Sequence, residues 1–240
     1  MLSLALVVRE CQSMSSALDE RSARLLEAVI DFYIESAEPV GSGALLERYP
    51  FEVSSATIRN WFADLEEKGY LLQPHTSGGR IPTEQAFRWY VSRVRPEKPS
   101  KKWQSAFEQL AKEEDRARQA RLFGKMLAEG SGVAAFVSFA PYDSYYTGLS
   151  QLFAQPEFKD WQRVVSLSEV LDRLDDALLQ MRTRTHEEPT ILIGTDSPFG
   201  PLCSALVYTH NDWLYGVLGP LRLPYARALG CLFTLHDLAV

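Results

Sequence analysis

Arg59 and Asn60 bring together two side chains that suit the recognition of DNA bases. An arginine can form two hydrogen bonds with guanine in the major groove, and an asparagine can form two with adenine. The apolar spacing of Ile58, Phe62 and Leu65 predicts a helix that buries these three residues and turns Arg59 and Asn60 outward. The alternative is an ordinary solvated helix face, which this helix alone leaves open.

The first turn of the same helix carries small polar side chains. Ser55 and Thr57 stand there, and Ser54 or Ser55 can cap the helix by accepting hydrogen bonds from its free amides. Recognition helices meet base edges with their N-terminal residues. We therefore expect Ser55 and Thr57 to contact the DNA backbone beside the bases that Arg59 and Asn60 read.

A polar, glycine-rich connection follows the recognition helix and separates two short strand candidates at residues 70–72 and 80–81. This composition is typical of a hairpin that can approach a phosphate or a minor groove closely. The residues expected to contact the DNA backbone from this wing are His75, Thr76, Ser77 and Arg80. For Arg80, an ion pair with Asp64 or Glu66 is the alternative.

Further helices are needed to position the recognition helix. Apolar residues recur at helical spacing from Leu18 onward, which predicts a first helix. A turn at residues 38–42 follows, after which Ser42 can cap a second short helix, and Thr83 can cap a fourth beyond the hairpin. Three helices followed by a hairpin predict a winged helix-turn-helix domain at residues 18–95.

The composition restricts how the chain can bind DNA. A chain of 240 residues with 46% hydrophobic and 23% charged residues is typical of one large or two modest globular domains. Its net charge of -6 excludes binding through bulk positive charge. Any contact with DNA must therefore come from a local basic surface.

The spacing of cysteine and histidine predicts neither catalysis nor metal binding. The three cysteines are far apart and odd in number, which fits a reducing cytoplasm. No spacing among His186, His210, His236, Cys203 and Cys231 matches a metal site or a nucleophile motif. We therefore expect no catalytic residues, no metal ion and no cofactor.

The N-terminal residues lack the features of a signal peptide. An apolar run at residues 1–8 has no basic flank before it and no small residues after it. No later segment is apolar over the length needed to cross a bilayer. We expect residues 1–17 to be a tail and the protein to be cytoplasmic, without membrane contact.

A second domain is predicted after a charged, proline-containing segment at residues 96–100. Residues 103–127 favour one long amphipathic connecting helix, so residues 96–130 are assigned to a linker and this helix. Beyond them, strands and helices alternate, which predicts an α+β domain with a mostly antiparallel sheet at residues 131–240. The predicted strands are residues 133–139, 190–193, 202–208 and 213–218, and the predicted helices are residues 169–181 and 225–237.

Several runs of residues occur in an order typical of one bacterial family. In the N-terminal domain they are Pro39-Val40-Gly41-Ser42, Val53-Ser54-Ser55-Ala56-Thr57-Ile58-Arg59-Asn60, Leu65-Glu66 with Gly69-Tyr70-Leu71, and Pro74-His75-Thr76-Ser77 with Gly79-Arg80-Ile81-Pro82-Thr83. Later they are Gln155-Pro156-Glu157-Phe158, and Gly219-Pro220 followed by Arg222 and Tyr225. In these runs the chain resembles the HrcA family, the heat-inducible repressors of bacterial chaperone genes.

The resemblance implies both a fold and a function. It implies that residues 131–240 form a GAF-like domain. This domain is abbreviated, because residues 129–145 are far fewer than the family has there, where it carries an inserted dimerisation domain. The resemblance also implies a sequence-specific repressor that binds double-stranded DNA as a homodimer, on an inverted-repeat operator of the CIRCE type. The GroEL chaperonin is the further partner that it implies.

Two other functions stay open at this point. A GAF-like domain can be a ligand sensor, although aromatic residues in a small domain are more often core than pocket lining. The candidate pocket residues are Tyr142, Tyr145, Tyr146, Phe153 and Phe158. Alternatively, the chain is a protein-interaction module whose winged helix has another or a lost DNA specificity. Trp61, which stands where the family has an acidic residue, is a position that can alter base preference.

Overall fold

The structure is a computed structural model that describes residues 18–74, 78–158, 174–183, 189–210 and 212–239. The chain forms two compact units, one ending at Arg93 and the other beginning at Val94. The boundary expected after residue 95 lies next to this division. Among the described helices, none combines the length and the apolar character that a bilayer span requires.

The first unit begins with helix α1, Glu20–Ser36. Asp19 caps it, because its carboxylate accepts a hydrogen bond from the backbone N–H of Ser22 at 2.8 Å. This hydrogen bond is the main reason that the pKa of the Asp19 carboxyl lies below its usual value. The helix ends at Ala37, which adopts a left-handed conformation with φ 56°.

Helices α2, Ser42–Arg48, and α3, Ser55–Glu67, follow. Ser54 caps α3 by accepting from the backbone N–H of Thr57 at 3.1 Å. The expectation that Ser42 caps α2 is wrong, because Gly41 is the N-cap and makes no side-chain capping bond. The Ser42 hydroxyl is instead engaged with the hydroxyl of Ser55 at 2.8 Å.

A short antiparallel ribbon and a fourth helix complete the first unit. Strands β1, Leu71–Leu72, and β2, Ile81–Pro82, pair with each other, and α4 comprises Glu84–Val91. Thr83 joins these parts, because its hydroxyl accepts from the backbone N–H of Ala86 at 3.3 Å and donates to the carbonyl of Gly69 at 2.7 Å. The Thr83 cap is therefore confirmed, and it also ties α4 to the end of α3.

The core of the first unit is apolar and well closed. Ile58, Phe62 and Leu65 of α3 are buried, as their spacing predicts. Helix α1 contacts both α3 and α4, so the buried side chains of the three helices face a common interior. The fully buried residues from the other helices include Leu25, Leu26, Val29, Ile30, Leu45 and Phe87. Burial of this apolar surface is the main force that holds α3 in place.

The second unit contains a five-stranded antiparallel sheet in the order β4-β3-β7-β6-β5. This arrangement confirms the predicted α+β class with an antiparallel sheet. The strands are β3, Ala134–Ala140; β4, Asp143–Thr147; β5, Thr190–Ile193; β6, Cys203–His210; and β7, Trp213–Pro220.

Helices cover both faces of this sheet. On one face, Phe136 and Val207 belong to a buried cluster that includes residues of α7, Leu149–Phe153, and α8, Leu174–Arg182. On the other face, α6 contacts β3, β4 and β7, and the C-terminal helix α9, Tyr225–Ala239, contacts β6. Alternation of side chains along each strand allows both faces to be apolar, so the unit has three layers.

The predicted connecting helix is wrong in its continuity. The segment forms two helices, α5, Lys101–Leu110, and α6, Arg116–Ser131. Asp115 starts the second one by accepting from the backbone N–H of Arg118 at 3.1 Å. The rings of Phe107 and Phe123 stack with centroids 4.7 Å apart, so α5 folds back onto α6. Because α6 packs on the sheet, much of residues 96–130 belongs to the folded second unit.

Strand β4 and helix α7 were not expected from the sequence. Among the described strands, β4 lies at an edge of the sheet and pairs only with β3, and four of its five residues are partly exposed. Such a strand lacks the apolar run and the strong alternation that identify a strand in a sequence. The part of the predicted helix at residues 169–173 lies outside the described residues.

Candidate nucleic-acid interface

Helix α3 presents Arg59 and Asn60 together on its exposed face. The Arg59 Nε–H donates to the carbonyl of Ser55 at 3.3 Å, one turn earlier in the helix. Within the described part of the chain, the Arg59 guanidinium forms no ion pair with a carboxylate. Ala56 and Ala63 are exposed beside it, so small side chains flank the two polar ones. The face therefore has the charge and the clearance that base recognition needs.

Four hydroxyls, in two pairs, organise the N-terminal end of α3. The Ser55 Oγ lies 2.8 Å from the Oγ of Ser42, the first residue of α2. The Thr57 Oγ1 lies 2.9 Å from the Oγ of the capping Ser54. In each pair, one hydroxyl can donate to the other and still accept another hydrogen bond. Ser55 and Thr57 thus fix the helix end, and Ser42 is a positioning residue that spacing did not reveal.

The wing is described at its base and not at its tip. His75, Thr76 and Ser77, expected to contact the DNA backbone, lie outside the described residues. Arg80 lies at the base, where its Nε–H donates to the Glu66 carboxylate at 3.0 Å. The ion pair considered for Arg80 from the sequence is therefore present, with Glu66 as the partner.

The base of the wing is also joined to the turn between α1 and α2. Val40 and Arg80 exchange two backbone hydrogen bonds, of 2.8 and 2.9 Å, as an isolated antiparallel bridge. Gly79 permits this approach, because a Cβ there would lie 2.6 Å from the Val40 carbonyl carbon and 2.7 Å from that of Pro39. Two of the sequence runs, residues 39–42 and 79–83, thus meet in the folded unit.

Trp61 stands beside Asn60 on α3 and is partly exposed. The guanidinium of Arg21, at the start of α1, lies 5.1 Å from the centre of its ring, within the range of a cation–π interaction. The Arg21 side chain is about half exposed and lies 3.8 Å from the Asp19 carboxylate. The Trp61 ring therefore packs against the Arg21 side chain and keeps this cation near the exposed face of α3.

A partly buried polar contact joins α4 to α1. The Tyr90 hydroxyl donates to the Asp31 carboxylate at 2.7 Å. Burial raises the pKa of the Asp31 carboxyl, an effect that the Tyr90 hydrogen bond partly offsets. Burial and the nearby Asp31 charge likewise raise the pKa of Tyr90. The hydrogen bond links α4 to α1, the helix that contacts α3, at the cost of a partly desolvated carboxylate.

The aromatic residues considered for a ligand pocket do not form one in the part of the chain that the structure describes. Tyr146 and Phe153 pack against the buried cluster on one face of the sheet. Tyr145 lies on the opposite face, near the position of Gly124 in α6. Tyr142 is 68% exposed, and the Phe158 side chain is outside the described residues. The set is divided among three environments, so it gives no support to a sensor.

A cavity of about 150 Å³ lies elsewhere in the second unit. The indole Nε1 of Trp103, which lines it, is buried and has no hydrogen-bond partner among the described residues. The other residues that line the cavity are Glu97, Lys98, Pro99, Ser100, Gly130, Arg227 and Cys231.

Cys203 and Cys231 are both buried, and burial raises the pKa of each thiol to about 12. Within the described ranges, no group of three histidine, cysteine or acidic side chains could hold a metal ion.

These features define the class of the chain: an α+β protein with a helical first unit that carries a two-stranded wing and an exposed polar helix, followed by a unit built on an antiparallel sheet. Residues 90–229 match the model of the family described as HrcA protein C terminal domain. The chain belongs to the HrcA family, and its second unit is the GAF-like α+β domain of that family.

Curated relatives support this assignment over a shorter stretch. The heat-inducible transcription repressor HrcA of Thermodesulfovibrio yellowstonii is 54% identical over 77 residues, which are 32% of this chain and 22% of that protein. The protein of the same name from Acetivibrio thermocellus is 56% identical over 77 residues, with the same shares. The chain thus spans about a fifth of the length of the curated relatives that it matches.

A solved structure shows the same fold. It is a crystal structure of a hypothetical protein at 2.2 Å resolution, which aligns with a TM-score of 0.73 over 92% of this chain and 96% of that chain. The identity is 16%, so this likeness concerns the fold alone.

Proposed function

We propose that the chain is a sequence-specific DNA-binding transcriptional repressor of heat-shock genes, acting on an inverted-repeat operator of the CIRCE type. The observation that carries the proposal is the exposure of Arg59 and Asn60 on one face of α3, whose opposite face is buried. The relatives named as heat-inducible transcription repressors support the same function.

The side chains of α3 divide into two roles. Arg59 and Asn60 read bases in the major groove, because their guanidinium and amide groups can each form two hydrogen bonds with a base edge. Ser55 and Thr57 stand at the N-terminal end and contact the DNA backbone, while their hydroxyl pairs hold that end in place. The wing tip, with His75, Thr76 and Ser77, adds backbone contacts that carry no base preference.

Two copies of the chain bind one operator in this proposal. A single recognition helix covers only a few base pairs, and a symmetric dimer doubles the sequence that is read. The homodimer is also implied by the family resemblance, the cytoplasmic location rests on the cysteine usage and the N-terminal residues, and the support by the GroEL chaperonin comes from the resemblance alone. Analytical ultracentrifugation with and without operator DNA tests the dimer, and addition of chaperonin to a DNA-binding assay tests the last part.

Selection from a random duplex library tests the central proposal without assuming an operator. The full chain is immobilised, incubated with the library at fixed salt, and the retained duplexes are sequenced after several rounds. The proposal expects enrichment of an inverted repeat, and expects Arg59→Ala to lose preference at one base pair of each half-site. Retention of duplexes without any enriched sequence would contradict sequence-specific repression and favour the interaction-module alternative.

A further inference from the structure

Arg80 differs from Arg59 in its surroundings. Only 17% of the Arg80 side chain is exposed, and its Nε–H is bound to the Glu66 carboxylate at 3.0 Å. Arg59 is exposed, and among the described residues its side chain makes a hydrogen bond only to a carbonyl of its own helix. A largely covered guanidinium that already binds a carboxylate has fewer N–H groups to offer a phosphate than an exposed one. Of the two arginines, Arg59 is the one that is free to contact DNA.

The Arg80–Glu66 ion pair connects two elements of the first unit. Glu66 lies in the last turn of α3, and Arg80 immediately precedes β2 at the base of the wing. The pair therefore joins the recognition helix to the wing directly. The backbone of Arg80 is bound to Val40 by two further hydrogen bonds, so the same residue also ties the wing to the turn between α1 and α2.

We propose that Arg80 and Glu66 form a clamp that sets the position of the wing relative to α3, and that Arg80 is a positioning residue and not a phosphate contact. This inference rests on the proposed DNA-binding function. Its consequence is that an acidic residue, Glu66, supports the binding of a polyanion. If Arg80 contacted a phosphate instead, the guanidinium itself would be required, and a carboxylate at position 80 could not replace it.

Electrostatics alone and the clamp predict opposite changes in operator affinity when the charge of Glu66 is removed. Glu66→Gln removes a negative charge from a DNA-binding unit, which by electrostatics alone strengthens binding. The clamp predicts the reverse, a loss of operator affinity of about tenfold, similar to that of Arg80→Gln. Glu67→Gln is the matched control, because Glu67 is the exposed neighbour in the same helix and its removal changes the charge equally. This control should leave affinity unchanged or slightly higher.

A charge exchange provides the second arm. The double variant Glu66→Arg with Arg80→Glu restores the clamp with its charges reversed, and should recover most of the operator affinity that each single variant loses. A phosphate contact would not be recovered by placing a glutamate at position 80. An increase of affinity in Glu66→Gln, or no recovery in the exchanged variant, would overturn the inference.

Hydrogen exchange of the backbone amides of Val40 and Arg80 gives a readout that does not involve DNA. Both amides donate in the bridge at the base of the wing, so loss of the clamp in Glu66→Gln should speed their exchange, whereas Glu67→Gln should not. If the wild-type chain binds no duplex selectively, the proposed function fails while this measurement still decides the clamp. Unchanged exchange in Glu66→Gln would refute the clamp by itself.

Discussion

Arg222 and Glu157 form a largely buried ion pair in the second unit, with a 3.0 Å hydrogen bond between Nη2 and Oε2. The same Nη2 lies 2.7 Å from the side-chain oxygen of Gln155. These residues belong to two of the sequence runs that carry the family resemblance, and the two runs are far apart in the chain. A single guanidinium therefore holds the segment after α7 against the turn between β7 and α9.

Removal of this guanidinium should destabilise the second unit. Arg222→Met leaves the Glu157 carboxylate without its partner, and loss of one member of a buried pair costs about 3 kcal/mol. Chemical denaturation followed by circular dichroism measures the change in the free energy of unfolding. Arg227→Met is the matched control, because Arg227 is exposed in the following helix. An effect of Arg222→Met no larger than that of the control would show that the pair contributes little.

A methyl group at Gly79 should disrupt the base of the wing. In Gly79→Ala the Cβ meets the Val40 carbonyl group at 2.6 Å, so the Val40–Arg80 bridge must open, at a cost of about 2 kcal/mol. The control is Gly43→Ala in α2, where the added Cβ meets nothing within 4 Å and helix propensity stabilises by about 0.5 to 1 kcal/mol. In thermal unfolding, the midpoint temperature should fall for Gly79→Ala and rise for Gly43→Ala. Equal unfolding midpoints would mean that the base of the wing accommodates the added methyl group without strain.

Substitution of Arg59 should change which sequences are bound. Arg59→Ala should lower operator affinity by about 1 to 3 kcal/mol and relax the preference at one base pair, because a bidentate contact with a base is lost. Competition by duplexes with single base-pair changes measures this preference. Lys68→Ala, which removes an exposed cation after the end of α3, serves as the charge control. A uniform loss on every duplex for Arg59→Ala would assign this residue to the DNA backbone.

The stability of the first unit should depend on pH through Asp31. Burial raises the pKa of this carboxyl above 3.8, so the folded state holds the proton more tightly than the unfolded chain does. The contribution of Asp31 to stability is therefore largest below pH 3.8 and is lost as the pH rises through the folded-state pKa. Asp31→Asn keeps an acceptor for the Tyr90 hydroxyl and should gain stability relative to wild type as the pH rises. A difference in unfolding free energy that is constant with pH would contradict this assignment.

Local signals in the sequence predicted the first unit well. Ser54 and Thr83 cap their helices, because a cap depends on the residue itself and its nearest neighbours. The burial of Ile58 and Leu65 followed from helical spacing alone. The exposed partner face, with Arg59 and Asn60, was predicted by the same spacing.

The features that sequence reasoning missed depend on contacts between distant residues. Serine is a favourable N-cap residue, yet the fold places the Ser42 hydroxyl beside that of Ser55. Asp115 is a local signal for the start of α6, but the folding of α5 back onto α6, with Phe107 stacked on Phe123, depends on a contact between distant residues. Edge strand β4 is specified by its pairing with β3 more than by its own residues.

Fluorescence anisotropy of a labelled CIRCE-type inverted repeat tests the central claim most directly. The full chain is titrated into this duplex and into a scrambled duplex of the same composition, at one physiological salt concentration, because DNA affinity depends steeply on salt. We predict tight binding to the inverted repeat, at least about 10³-fold stronger than to the scrambled duplex. Equal, weak binding to both duplexes would contradict the assignment of the chain as a repressor acting on this operator.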